Sequence, residues 1–449
     1  MKIIIIGGSD AGISAGLRIK EMDPKSELTI LLKDEYPNFS ICGLPFYIGG
    51  QVENWKNLAH RSMDQLKKTG IRWLPGHTAT RIDQQAHQVI AVDPSKNEMA
   101  LPYDKLILAT GAASVRPPIP GADLPGVFFL RFMDDGLAVQ EYLEKFPVRR
   151  AAIIGSGHIG MEMADALHQR GLSVTLLEMA DRVMPSFDRQ MGALLQTLLE
   201  EKGVCVKTGI KITGIEQKPS GLTLNAGKET LAESDFILIA AGARPSAELA
   251  AKARILLGKT GAICVNEKME TSVKDIYAAG DCAETYHRVI RKYLYMPLGT
   301  TAHKQGRIAG ENAAGGISIF KGVVGTQSVK IFDRVAARTG FRDEEAIEYG
   351  FDPLTTDVET PDHKAYYPGA TRIHIRLTGD RKTGRLLGAQ MVGRHLAEVS
   401  KRIDIIAAAL FSGLKVADLL DLDLSYTPPL SSPWDPVQMA AMSWLTQNK

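Results

Sequence analysis

The chain is short of cysteine, of long apolar runs and of any surplus of charge. Cys42, Cys205, Cys264 and Cys282 are its only four cysteines in 449 residues, and no two make a CxxC pair or a metal-ligand spacing. That scarcity argues against a secreted disulfide scaffold and for a reducing cytoplasm. Any thiol chemistry must fall to one cysteine acting alone. No stretch reaches the roughly 18 apolar residues of a membrane span, and the opening MKIIIIGG runs into glycines too soon for a secretory signal. Lys plus Arg number 53 against 51 Asp plus Glu, a net charge of +2. Neither a basic field for nucleic acid nor a polybasic membrane patch is therefore expected. What remains is an ordinary globular composition, 45% hydrophobic and 23% charged. At roughly 150 residues per domain, the length suits about three domains.

The first of these opens with a βαβ pattern. Lys2 to Ile6 reads as a short strand, Gly7, Gly8 and Gly12 as a turn, the residues to about Met22 as a helix, and Leu28 to Leu32 as the next strand. A strand made of isoleucine is buried on both faces, as in a parallel sheet covered by helices. The pattern returns about 150 residues later, with a strand Ala151 to Ile154, a turn Gly155 to Gly160, a helix Met161 to Arg170 and a strand Ser173 to Leu177 ending at Glu178. This is a duplicated nucleotide-binding unit. Ser114 to Gly121 is a stiff Pro/Gly linker. The strands Lys105 to Ala109 and Phe236 to Ala240 leave through Thr110-Gly111 and Ala241-Gly242 and bracket the second unit, which is thus inserted into the first. From about Val323 the pattern stops. Thr371 to Leu377 suggests an antiparallel strand and Ala397 to Ser412 a helix. The expected fold class is α/β, with two Rossmann-like domains and a C-terminal α+β domain. The expected boundaries are 1–112 with 243–322, then 113–242, then 323–449.

The second glycine motif, GSGHIG, stands between a strand and a helix and has an acid at the end of the next strand. Gly155 makes the turn, Gly157 lets backbone N–H groups approach a pyrophosphate, and Gly160 lets helix and strand pack closely. The helix start, with His158 and Ile159, faces the phosphates. Glu178, 18 residues past Gly160, accepts both ribose hydroxyls and repels a 2′-phosphate, so NADH is preferred over NADPH. Glu162 either faces the nicotinamide or is a solvated helix residue. The first motif, Gly7-Gly8-Ser9-Asp10-Ala11-Gly12, carries serine at the middle glycine's place, and Asp34 or Glu35 takes over the ribose contact. Ala279-Gly280-Asp281 delivers an Asp that can bind the ribityl hydroxyls of a flavin. Cys42 sits between polar turn residues and a Gly-Leu-Pro that can start a helix. That position biases a thiol toward thiolate, whereas Cys205 and Cys264 look like buried strand residues. His303 and His158 read as turn or helix-end residues without a catalytic role.

Taken together, these residues resemble the flavin-dependent pyridine nucleotide–disulfide oxidoreductases. Within them the chain looks like the single-cysteine branch, which holds coenzyme A-disulfide reductase, NADH oxidase and NADH peroxidase. The resemblance rests on Gly7 to Gly12, Cys42 to Pro45, Ala109 to Gly111, Gly155 to Gly160, Ala279 to Asp281, Lys304 to Arg307 and Tyr426 to Pro436. It implies FAD across the first domain, held by Gly7 to Gly12, Thr110, Gly111, Arg131, Gly280 and Asp281, and NADH on the second, with Gly242 at its edge. Hydride passes to the flavin and electrons pass to Cys42. Tyr47 occupies the place of a second cysteine five residues on, so oxidised Cys42 is a sulfenic acid, a mixed disulfide or a persulfide. A homodimer built by the third domain is implied, in which Tyr426 reaches the partner subunit's cysteine and assists a leaving thiol. Tyr366 or Tyr367 either does the same or is a strand-edge aromatic. Asn38 and Ile41 stand where coenzyme A-disulfide reductases carry Ser and Asn, and Asp10 stands where the peroxidases and oxidases carry His. Arg18, Asn38, Ser40, Arg61 and Lys304 are the candidate contacts for a coenzyme A-derived or other small sulfur substrate. The leading expectation is an NADH-dependent flavoprotein that reduces a disulfide, persulfide or polysulfide through Cys42. The rivals are an NADH oxidase working through a Cys42 sulfenate and a low-turnover redox sensor or electron-transfer partner.

Overall fold

Strands sealed on both faces take the centres of sheets. Ile3 to Ile6 are each at most 7% exposed, and their strand, Lys2–Ile6, is the middle of a five-stranded parallel sheet. The computed structural model describes residues 1–449, apart from the side chain of Met63. The sheet runs in the order Ile276–Ala278, Lys105–Leu108, Lys2–Ile6, Glu27–Leu31 and Arg72–Leu74. A second parallel sheet repeats the plan around Arg150–Ile154. Ser173–Leu177 and Cys205–Lys207 lie on one side of it, and Phe236–Ile239 and Val127–Phe128 on the other. Each unit also carries an antiparallel three-stranded meander ahead of its exit strand, over Thr78–Pro102 and over Gly214–Ser234. The chain crosses between the units twice. The two crossings, Ala112–Ser114 and Ala243–Pro245, pair with each other antiparallel.

The third layer is an antiparallel five-stranded sheet in the order Gln327–Ile331, Arg334–Gly340, Leu386–Arg394, Arg372–Asp380, Pro353–Pro361. Its apolar face packs on the helices Val399–Ser412 and Pro436–Gln447, with Trp444 in the shared core. The sheet is locked to the second unit by buried polar groups. Asp188 accepts from Arg376 Nε at 2.8 Å and from Gln390 Nε2 at 2.6 Å. The Phe332 N–H donates to Asp165 at 2.9 Å. Desolvated charges of this kind are tolerable because each is paired. Among the described residues no helix is long and apolar enough to cross a membrane.

Several boundaries differ from expectation, for local reasons. The second nucleotide helix is His158–Gln169, because Gly155 to Gly157 suffice for the turn and His158 to Gly160 become its first helical residues. The segment Thr271 to Asp281, which reads in sequence as one short strand, is extended only over Ile276–Ala278, since Asp275 has φ +67 and breaks the run. The late helix starts at Val399, after the left-handed Glu398. The cysteine burial is reversed. Cys205 opens an edge strand and is exposed, Cys264 is half-buried outside any strand, and Cys282 is the buried one.

Candidate active site

Both glycine turns are built by the same contacts. A Cβ on Gly12 would lie 1.8 Å from the Gly7 carbonyl oxygen, and one on Gly160 would lie 1.9 Å from that of Gly155. These two glycines let helix and turn touch. Gly157 has open space where its Cβ would stand, room for a phosphate to approach the helix start. Glu178 is buried beside it. Its Oε2 accepts from the N–H and the hydroxyl of Ser156, each at 2.7 Å, and its Oε1 accepts from the Ala180 N–H at 2.8 Å. Gly242 has φ +103 and open space on its Cβ side. His158 is half-buried, with its Nε2 enclosed and unpartnered. Burial and Arg338 of the third sheet lower its pKa, so it contributes no charge to the phosphate site.

A cavity of about 600 Å³ crosses the carboxyl ends of four neighbouring strands of the first sheet. At about 4.8 Å per strand spacing it suits an extended dinucleotide in the crevice where such sheets take ligands. Gly7, Gly8, Ser9, Asp10 and Ala11 line its middle, Asp34 one end, and Thr110, Gly111, Arg131, Gly280 and Asp281 the rest. Gly12 stands behind the wall as a packing residue. Glu35 is exposed and does not line the cavity, so Asp34 alone of the two acids faces it. Arg131 and Asp281 form an ion pair, each largely buried. The sequence carried no signal for His77, Thr78 and Ala79, which the first meander adds to the wall. The residues present fit FAD: a glycine cradle open to a pyrophosphate, an acid at each end and one paired arginine.

Cys42 lies in a 3₁₀ turn, Ile41–Gly43, followed by the five-residue helix Leu44–Ile48. That helix leans on the second unit, where Arg170 Nη1 donates to the Ile48 carbonyl at 2.8 Å and Gln51 Nε2 to Gln169 Oε1 at 3.1 Å. The cysteine is exposed yet stands in dense surroundings, the combination a cleft produces. The expected thiolate bias is absent. Burial pushes the Cys42 thiol up, the carboxylates of Asp10, Glu162 and Asp281 add to that, and only Arg131 opposes them. The physical reason is that the dipole of a five-residue helix is too weak to outweigh burial of the thiolate, with three acids adding to it.

Glu162 ties the second unit to this sulfur. It is half-buried, and burial together with Asp165 pushes it up to about 7, against a smaller pull from Lys330. Its carboxylate form is therefore a cost to folding, present once the pH passes the unfolded value near 4.5 and complete above about 7. Glu162→Gln should raise stability at pH 8 by up to about 3 kcal/mol and leave it unchanged at roughly pH 4. Denaturant unfolding at the two pH values measures this. A gain that is equal at both would remove burial of the charge as its cause.

A second cavity, also of about 600 Å³, lies further along the first helix, Asp10–Met22. It is lined by Ser14, Asn38, His60, Arg61, Gln65 and His303, with Ile13 and Leu17. Asn38 is buried, has φ +63, and its Nδ2 has no partner. Of the expected substrate contacts, Asn38 and Arg61 are thus brought together. Arg18 is engaged elsewhere, in ion pairs with Glu21 at 2.9 Å and Glu311 at 2.6 Å. Ser40 and the exposed Lys304 do not line the cavity. Tyr366, Tyr367 and Tyr426 are 73%, 42% and 44% exposed on the third domain. The buried Arg402 holds their two segments together, donating to the carbonyls of Asp362 at 2.7 Å and Leu430 at 3.1 Å and to Asp435 at 3.1 Å.

Comparison with known proteins agrees with this architecture. The family model for pyridine nucleotide-disulphide oxidoreductases matches residues 1–306, and the model for that family's dimerisation domain matches 326–436. The NAD(P)H coenzyme A polysulfide/persulfide reductase of Pyrococcus horikoshii is 35% identical over 444 residues, 98% of this chain and 97% of that protein. The NADH oxidase of Methanocaldococcus jannaschii is 34% identical over 446 residues, 98% of each chain. The structure of a NAD-dependent persulfide reductase from A. fulgidus superposes with a TM-score of 0.96 at 38% identity, over 100% of this chain and 83% of that one. The chain belongs to the pyridine nucleotide-disulphide oxidoreductase family, oxidoreductases that work with FAD and NAD(P)H.

Proposed function

We propose that this protein uses NADH to reduce a small disulfide, persulfide or polysulfide, with Cys42 as the sulfur that meets the substrate. The observation that carries the reading is the placement of the exposed Cys42 beside Asp10, Arg131 and Asp281 of the first cavity and Glu162 of the second unit, four residues after Asn38 of the second cavity. FAD, when bound in the first cavity, supplies the two-electron carrier between nicotinamide and sulfur. Residues 1–112 and 243–322 would hold it, 113–242 the NADH, and 323–449 would join two copies into a homodimer. Cys42 attacks the sulfur–sulfur bond, and Tyr47 leaves it no neighbouring thiol to pair with. Asn38 and Arg61 bind and orient the substrate. An arginine on that wall suits a phosphorylated carrier thiol such as coenzyme A, the carrier named for the Pyrococcus relative. Tyr426 of the partner subunit, with Tyr366 or Tyr367, would close over the sulfur and exclude water. The second cavity favours a sulfur substrate over O₂ as the acceptor, because its wall offers Asn38 and Arg61 to a larger polar ligand, which O₂ does not need.

The test is the mass of protein purified without reductant, before and after NADH. Loss of a discrete thiol from the Cys42 peptide is expected. A sulfenate-specific adduct with no thiol loss would assign the chemistry to O₂. The preference for NADH has its own test. Glu178→Ala removes the acceptor for the ribose hydroxyls and the charge facing a 2′-phosphate. The KM for NADH should rise roughly 10- to 100-fold and that for NADPH should stay level or fall. Equal losses for both coenzymes would show that Glu178 only holds the loop at Ser156.

A further inference from the structure

The wall between the two cavities contains a three-residue chain that the reading above does not use. His303 Nδ1 lies 2.7 Å from Ser14 Oγ, and its Nε2 lies 3.5 Å from Asp10 Oδ1. Asp10 lines the first cavity; Ser14 and His303 line the second. Asp10 and Ser14 are one turn apart on the helix Asp10–Met22 and so share a face, and His303 comes from the helix Gly299–Ala313 packed against it. The two helices approach closely because Gly306 and Gly310 sit directly on the backbone of Ala11 and Ala15. A Cβ there would fall 2.1 Å and 2.4 Å from those carbonyl oxygens. His303 is thereby fixed between an acid and a hydroxyl, while its side chain stays 49% exposed. The other charged or titratable groups around the chain are Asp281, Arg131 and His60 near Asp10, Arg61 across the second cavity, and Lys304 beside His303 on its own helix.

We propose that Asp10, His303 and Ser14 form a proton relay that delivers a proton to the thiol leaving group in the second cavity. The proposal rests on the sulfur-reductase reading. In the step it serves, the Cys42 thiolate attacks one sulfur of R–S–S–R′, the Cys42–S–SR bond forms, and the S–S bond breaks with its electron pair on R′–S⁻. The Ser14 hydroxyl gives its proton to R′–S⁻ and takes the Nδ1 proton of the His303 imidazolium. Neutral His303 then regains a proton from solvent, and the Asp10 carboxylate stabilises the cation. The direction of transfer favours imidazole over a tyrosine. An ordinary phenol, near 10, is a weaker acid than an alkyl thiol near 8.5, whereas an ordinary imidazolium, near 6.5, is a stronger one. The tyrosines are left to order and close the site.

The experiment follows a single turnover on protein reduced beforehand, reading the mass gained at Cys42 after acid quench. Two disulfides are compared: coenzyme A disulfide, whose leaving thiol is alkyl, and the mixed disulfide of coenzyme A with 2-nitro-5-thiobenzoate, whose leaving thiol is acidic and needs no proton donor. His303→Gln should slow adduct formation from coenzyme A disulfide roughly 100-fold and leave the aryl substrate within about 3-fold. Ser14→Ala should show the same selectivity to a smaller degree, which keeps the test standing if the His303 variant is poorly folded. Equal slowing with both disulfides, or no slowing with either, overturns the relay. Failure of the parent protein to form an adduct with either disulfide overturns the sulfur-reductase reading instead.

Discussion

Cys42→Ser is expected to reduce the rate of sulfur-substrate reduction by roughly 10⁴-fold or more, the scale seen when a catalytic nucleophile is removed. FAD content and NADH affinity should stay at parental values. The substitution is small, at an exposed position in a 3₁₀ turn, and Cys42 is not among the residues lining the first cavity, so binding there has no reason to change. A serine hydroxyl cannot form a disulfide with substrate or accept an electron pair by breaking one. The remaining cysteines give no substitute: Cys282 is buried beneath the first sheet's exit strand, Cys205 is on the outer edge of the second sheet, and Cys264 is half-buried with its thiol pushed up to about 11 by burial and Glu284. Steady-state NADH consumption with added disulfide or polysulfide measures the effect. Full activity in the serine variant would show that electrons reach the acceptor without this sulfur. The raised Cys42 thiol adds a direction to the pH profile. Removing one of the carboxylates that push it up, as in Glu162→Gln, should move the onset of thiolate reactivity to lower pH, read by the rate of iodoacetamide alkylation.

The two nucleotide units were legible because each is a local pattern: an isoleucine- or alanine-rich strand, a glycine turn whose spacing is set by backbone contact, and an amphipathic helix. The insertion of one unit in the other was legible too, from the two strand exits that bracket it, and those exits pair with each other as Ala112–Ser114 and Ala243–Pro245. What stayed hidden depends on packing between segments distant in sequence. Nothing near His303 marks it as a partner of Asp10 and Ser14, since the helices that join them lie 289 residues apart at the Ser14–His303 contact. Gly306 and Gly310 were the available signal, small residues one turn apart that permit close helix contact. The reading of Cys42 as a thiolate failed for a similar reason. It weighed the local helix start and could not weigh the burial that the fold imposes, nor Asp10, Glu162 and Asp281, which arrive from three separate segments. Cys205 misled because β-branched neighbours signal a strand without saying whether it is an edge, and Cys264 because such neighbours also occur outside strands.

Arg402→Leu should destabilise the protein by about 3–5 kcal/mol, the cost of leaving a buried carboxylate without its partner. The Arg402 and Asp435 side chains are only 6% and 8% exposed. Besides that ion pair, Arg402 donates to the carbonyls of Asp362 and Leu430, and Asp435 also accepts from Ser431 Oγ at 2.8 Å and caps the last helix through the Val437 N–H at 2.9 Å. One guanidinium therefore ties together the loop bearing Tyr366 and Tyr367, the segment bearing Tyr426 and the start of the helix Pro436–Gln447. Denaturant unfolding of the parent, Arg402→Leu and the double variant Arg402→Leu/Asp435→Asn separates the terms. Neutralising the orphaned carboxylate should recover part of the loss, a coupling of roughly 1–3 kcal/mol, while the freed carbonyls keep the double variant below the parent. Sulfur-substrate turnover should fall further than NADH affinity does, since the clamp orders the tyrosine segments and touches neither nucleotide unit. A single variant within about 1 kcal/mol of the parent would mean that these segments are held by the surrounding core of Val437, Ala441 and Trp444 rather than by the arginine.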